Sequence, residues 1–202
     1  MSYLMDKDRL RKQIEFIVEV DKLKNIYRQT LLMDGSRNEN DAEHSWHLAL
    51  MAMVLKEYSP EKDLDITKVL KMLLVHDLVE IYAGDTFCYD EKGNLDKASR
   101  ELAAADKLYS ILPPDQGQEL RALWDEFEAR KTPEALFASS LDRLQPLICN
   151  YLTEGHTWVK HGIKSSKVLE RNLPIQEGAP DLWDLVEEMV EDSIERGILE
   201  RD

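Results

Sequence analysis

Residues 71–85 read KMLLVHDLVEIYAGD, and the fold follows from how that stretch is taken. Val69, Leu70, Met72, Leu73, Leu74, Val75, Leu78, Val79, Ile81 and Tyr82 leave no wide polar face, which predicts a buried helix. Inside it lie three ionisable groups: His76, Asp77 and Glu80. At 3.6 residues per turn, His76 and Asp77 stand about 100° apart, and Glu80 projects beside both. A buried carboxylate without a counter-charge costs several kcal/mol, and a cation shared by His76 and Asp77 is the simplest remedy. Gly84 then stops the helix, and Asp85 sits at its exit.

Working outward, the missing ligands come from two other apolar helices. Upstream, Asn40-Asp41-Ala42-Glu43 has the form of a capping box, which puts His44 in the first turn of a helix bearing Trp46, Leu50, Met51, Met53 and Val54. Downstream, Thr132-Pro133 opens a helix through residue 152, with Leu136, Phe137, Leu141, Leu144, Leu147, Ile148 and Tyr151 inward. Asp142 lies in that helix one turn before Pro146, which is expected to kink it. Further helices are expected over residues 6–24, with a core stripe of Leu10, Ile14, Ile17 and Val18. Others are expected over 96–112, 116–130 and from Pro180 to Gly197. Residues 86–94 read as a polar loop suited to covering a pocket.

Composition narrows the class. The 202 residues are 43% hydrophobic, enough for a substantial core, with little Val/Ile/Thr alternation and no Gly/Ser/Pro linker. We therefore expect an all-α, single-domain bundle over 1–202, with 154–202 as a C-terminal helical extension packed on it. A net charge of −14 opposes nucleic acid polymers and anionic membranes. It leaves room for a small phosphate ester in a locally positive site. No stretch of about 20 apolar residues is present, residues 1–12 carry no signal-peptide run, and Cys88 and Cys149 form no CxxC pair. These features point to a cytoplasmic protein.

Two imidazoles and two carboxylates, His44, His76, Asp77 and Asp142, make a mixed N/O set. It suits Mn, Co, Ni, Fe, Zn or Mg with waters, and it lacks the thiolates of a structural zinc site. Glu80 and Asp85 are placed to handle protons. Arg28 and Arg37 are candidates for phosphate oxygens.

The segments SRNENDAEHS (36–45), HDLVEIYAGD (76–85) and SLDRLQPLICN (140–150), in that order, resemble the HD-domain metal-dependent phosphohydrolases. The similarity is greatest to the 5′-deoxynucleotidase branch and runs through VLERNLPI near the C-terminus. The resemblance implies a helical bundle around one divalent ion, often dimeric, with His44, His76, Asp77 and Asp142 as ligands. It implies Glu80 as the catalytic acidic residue, Asp85 as a second acidic residue near the leaving group, and Arg28 on the phosphate. Lys24 is a further candidate for phosphate or base. The chain departs from those relatives at Gln29, where they carry an aromatic residue that helps exclude a ribose 2′-hydroxyl. The implied activity is removal of the 5′-phosphate from (deoxy)nucleoside monophosphates. The alternatives are a phosphodiesterase or triphosphohydrolase of the same family, or a non-enzymatic helical module stabilised by its ion.

Overall fold

The computed structural model describes residues 7–202. Helix α1 (Lys7–Val20) passes through a 3-10 turn (Asp21–Asn25) into a short antiparallel ribbon, β1 (Tyr27–Leu31) with β2 (Asn38–Asn40). Then come α2 (Asp41–Leu55), α3 (Ile66–Val75), the one-turn α4 (Glu80–Ala83), α5 (Lys97–Tyr109), α6 (Pro114–Ala129) and α7 (Pro133–Leu152). The C-terminal part holds α8 (His156–His161), α9 (Ser165–Asn172), α10 (Ile175–Gly178) and α11 (Trp183–Glu195). The all-α reading holds, with the ribbon the sole sheet among the described residues.

Helix α7 is the axis of the bundle. It touches α2, α3, α6, β1 and every helix from α8 to α11. Phe137, Leu141 and Leu144 on it are essentially inaccessible and meet Val69, Met72 and Leu73 of α3 in one core. Each such side chain contributes about 1.5–3 kcal/mol by leaving water. Gly178 lets α10 lie directly against α7, because a Cβ there would collide with the Leu136 carbonyl and the Ser140 hydroxyl. The expected start of α7 is found: Thr132 caps Ala135 N, with Pro133 at the first helical position. The helix continues past Pro146 to Leu152.

Three expectations need correction. Residues 71–85 are not one helix. Regular α structure ends at Val75, and residues 76–79 form tight turns in which Leu78 N donates to Val75 O and Glu80 N to Asp77 O. The overwound stretch changes which way Asp77 and Glu80 point. The α1 stripe is not core either. Leu10, Ile14, Ile17 and Val18 are 38–64% exposed, while Phe16 and Leu23 turn inward. On α2, Trp46, Leu50, Met53 and Val54 likewise face outward, and Leu48, Met51 and Ala52 are buried. An apolar stripe fixes a helix's amphipathic face but not what covers it. The expected helix start at Asp6 lies outside the described residues. No helix of the described residues is long and apolar enough to cross a membrane.

Candidate active site

The capping box of α2 is complete: Asn40 Oδ1 accepts from Glu43 N at 2.9 Å, and Glu43 Oε2 accepts from Asn40 N at 3.3 Å. It fixes the first turn, so His44 points into the core. There His44 Nε2 lies 3.1 Å from Asp142 Oδ1 on α7 and 3.9 Å from Asp77 Oδ2. His76, which ends α3, has Nε2 at 3.2 Å from Asp77 Oδ1 and 3.7 Å from Asp142 Oδ1. Four side chains from three separate parts of the chain thus converge.

Both imidazoles are held by their other nitrogen. His76 Nδ1 donates to the Leu73 carbonyl at 2.9 Å. His44 Nδ1 donates to Gln145 Oε1 at 3.1 Å, and Gln145 Nε2 donates to Glu39 Oε1 at 2.7 Å. These bonds direct each Nε2 toward the same point, as the outer contacts of metal-bound histidines do. His76 Nε2 is buried with no hydrogen bond. An unpaired buried nitrogen beside two carboxylates is the donor set of a divalent cation, and His44, His76 and Asp77 offer atoms within 4.8 Å of one another. The residues fit the ion that the sequence predicted.

The electrostatics match. Burial alone would lower His76, but Asp77 and Asp142 outweigh it and lift it to about 10. Burial would raise Asp77, yet His76 and Arg28 hold it well below the usual carboxylate range. Asp142 is likewise held down, against burial, by His44 and His76.

A second group stands beside the first. Asp41, Glu80 and Asp85 bring carboxylate oxygens within 4.8 Å of one another. Glu80, expected beside His76 and Asp77, brings its carboxylate to this second group while the charge of Asp77 still acts on it. Burial, then the charges of Asp77 and Asp41, raise Glu80 well above its ordinary value. Burial and Asp77 lift Asp41 to about 7, opposed by Arg28. Asp85 is raised mainly by burial. Arg28 bridges the two groups, with Nη1 at 3.0 Å from Asp77 Oδ2 and 3.4 Å from Asp41 Oδ1, while its Nε makes no hydrogen bond and lies 3.9 Å from Glu39 Oε2.

Arg28, Asp77, Glu80, Asp85 and Asp142 all line one cavity of about 140 Å³. The loop over residues 86–94 lines it too, through Thr86, Phe87, Cys88, Tyr89 and Asn94, as expected of a covering segment. Two candidates are not brought there. Arg37 is paired on the surface with Glu43 at 2.6 Å, and Lys24 is paired with Asp21. Each has its carboxylate close by in sequence, and neither lines the cavity. Glu39, Asp41 and Gln145 were not singled out in the sequence. Gln145 stands three residues after Asp142, on the same helical side, which is the one local hint of its role.

Comparison with known proteins agrees with this geometry. A family model described as HD domain matches residues 20–183. The chain belongs to the HD-domain family. It is similar to 5′-deoxynucleotidase HDDC2 of Homo sapiens, 31% identical over 139 residues, which is 68% of this chain and 66% of the human protein. It thus spans just under two thirds of that relative's length. The Dictyostelium discoideum protein of the same name is 33% identical over 68% of this chain and 75% of its own. A crystal structure from Magnetospirillum magnetotacticum MS-1, described as a predicted metal-dependent phosphohydrolase, superposes with a TM-score of 0.92 at 50% identity. It covers 98% of this chain and 100% of that one.

Proposed function

We propose that the protein is a metal-dependent phosphomonoesterase that removes the 5′-phosphate from nucleoside monophosphates, with deoxynucleotides its principal substrates. The observation that carries this is the convergence of two histidines and two aspartates at the wall of a cavity lined by Asp77, Asp142, Arg28 and the acidic Glu80 and Asp85. The names of the human and Dictyostelium relatives support the substrate class, and that of the Magnetospirillum protein supports the reaction class.

His44, His76, Asp77 and Asp142 hold the divalent ion. When bound, the ion supplies Lewis acidity, lowering the pKa of water and offsetting phosphate charge. Arg28, whose side chain lines the cavity, binds a phosphate oxygen through its guanidinium. Glu80 and Asp85 divide the proton work. One carboxylate orients the attacking water and takes its proton, and the other delivers a proton to the departing 5′-oxygen. Glu80 is buried and Asp85 half-buried, which limits competition from bulk water.

The whole chain acts as one domain, with residues 154–202 packed on α7 as an extension. We place it in the cytoplasm as a homodimer. The net charge of −14 and the free thiols Cys88 and Cys149 support the first statement, and the outward Trp46, Met53 and Val54, each 64% exposed, support the second. A single species of monomer mass by light scattering would remove the dimer. The function is tested by phosphate release from deoxy- and ribonucleoside monophosphates with Mn or Co added. Equal, metal-independent background rates for wild type and Glu80→Ala would overturn it.

A further inference from the structure

The catalytic groups account for part of the cavity wall. Another part comes from the loop over residues 86–94 and from α8 and α9, and its chemistry differs, while β1, Lys97 and α7 line the remainder. Phe87 and Tyr89 meet edge to face at 5.4 Å, and Trp158 is 2% exposed. Among these rings stands Arg171, whose guanidinium has no carboxylate partner among the described residues. Next to it Asn172 is buried. Its Nδ2 donates to the Val168 carbonyl at 2.8 Å, and its Oδ1 has no hydrogen-bond partner. The neighbouring Arg143 is already engaged, donating to Ser139 O and to the Arg171 carbonyl.

A lone buried acceptor costs about 1–3 kcal/mol unless something donates to it. An anion would be repelled by Asn172 Oδ1 and would find only one uncommitted cation. A neutral, planar ligand with both acceptors and an N–H on its edge satisfies both residues and stacks on the rings. A purine or pyrimidine base has these features.

We propose that Arg171 and Asn172, with Phe87, Tyr89 and Trp158, form the nucleobase subsite of this cavity. Arg171 donates to ring acceptors and Asn172 Oδ1 accepts a base N–H. The subsite rests on the nucleotidase reading above and deepens it: the C-terminal helices select for a nucleotide over a bare sugar phosphate.

The test compares dGMP, dAMP, dCMP and dTMP with 2-deoxyribose 5-phosphate, which has no base, on the metal-loaded full chain. Arg171→Ala is expected to lower kcat/KM for the preferred nucleotides about tenfold or more through KM, the effect of losing a base contact. It should leave 2-deoxyribose 5-phosphate within about twofold of wild type, and Arg171→Lys should recover part of the loss. Binding of a deoxynucleoside without phosphate, read by competition, should weaken in parallel. Arg171 is half-exposed, so the variant is expected to fold. Equal losses on nucleotide and sugar phosphate, or no loss on either, would overturn the subsite. A wild type that hydrolyses no phosphate monoester would instead overturn the nucleotidase reading itself.

Discussion

Replacing Gln145 by Leu removes the link between His44 and Glu39 without touching a proposed ligand. Gln145 is fully buried. It accepts from His44 Nδ1 at 3.1 Å and donates to Glu39 Oε1 at 2.7 Å. The variant leaves an imidazole N–H and a carboxylate oxygen facing a side chain that can bond neither. Glu39 Oε2 makes no hydrogen bond, lies 3.6 Å from His44 Nδ1 and 3.9 Å from Arg28 Nε, and cannot make up the loss without moving. A hydrogen bond to a charged group is worth about 1.5–3 kcal/mol and an orphaned buried group costs about 1–3, so the loss is roughly 3 kcal/mol. For a chain of this size that lowers Tm by about 6–12 °C. With the imidazole free to rotate, affinity for the ion should fall about 10–100-fold. Calorimetric titration of Mn into chelator-treated protein, beside thermal melts in chelator, reads both. A variant that binds Mn within twofold of wild type would refute the view that Gln145 orients His44.

Three further outcomes follow from the same geometry. Glu80→Gln should cut phosphate release by about 100-fold or more. The metal-free variant should melt no lower than wild type, because a neutral amide relieves the carboxylate crowding that raises Glu80; a loss of fold would contradict this. Arg28→Lys keeps a cation near Asp77 but loses the planar fork, so KM for nucleotides should rise more than kcat falls, and unchanged kinetics would exclude Arg28 from the phosphate. In chelator, stability should fall as pH rises. Asp41 keeps its proton to about pH 7 when folded but only to 3.8 when unfolded, and His76 keeps its proton to about 10 against 6.5. From about pH 4 to 10 the folded state therefore binds more protons, and rising pH favours unfolding. Urea melts across that range check the sign.

What the sequence conveyed was local. Asn40 with Glu43, Thr132 with Pro133, and Gly84 at φ +76° are contacts within a few residues, so pattern alone placed His44 and Asp142 on their helices and ended the helical stretch before Asp85. The HD doublet with its upstream His44 and downstream Asp142 pointed to the proposed donor set. What stayed hidden was set by tertiary packing. No Gly or Pro marks the tight turns after Val75, which form where His76 and Asp77 face residues far along the chain. Glu39 and Gln145 are 106 residues apart, so neither announces the other. The stripe of Ile14, Ile17 and Val18 was read as core because periodicity cannot say whether a face is covered by the same chain. The cavity wall around Arg171 was invisible because it is assembled from a loop and two short helices.

The central claim is that His44, His76, Asp77 and Asp142 share one divalent ion. The most direct test is a crystal grown with Mn and measured at a wavelength where Mn scatters anomalously. The account predicts one strong peak within bonding distance of both imidazole Nε2 atoms and of a carboxylate oxygen from each aspartate. Crystals with Mn present but no peak there, and with each imidazole hydrogen-bonded directly to a carboxylate, would contradict it.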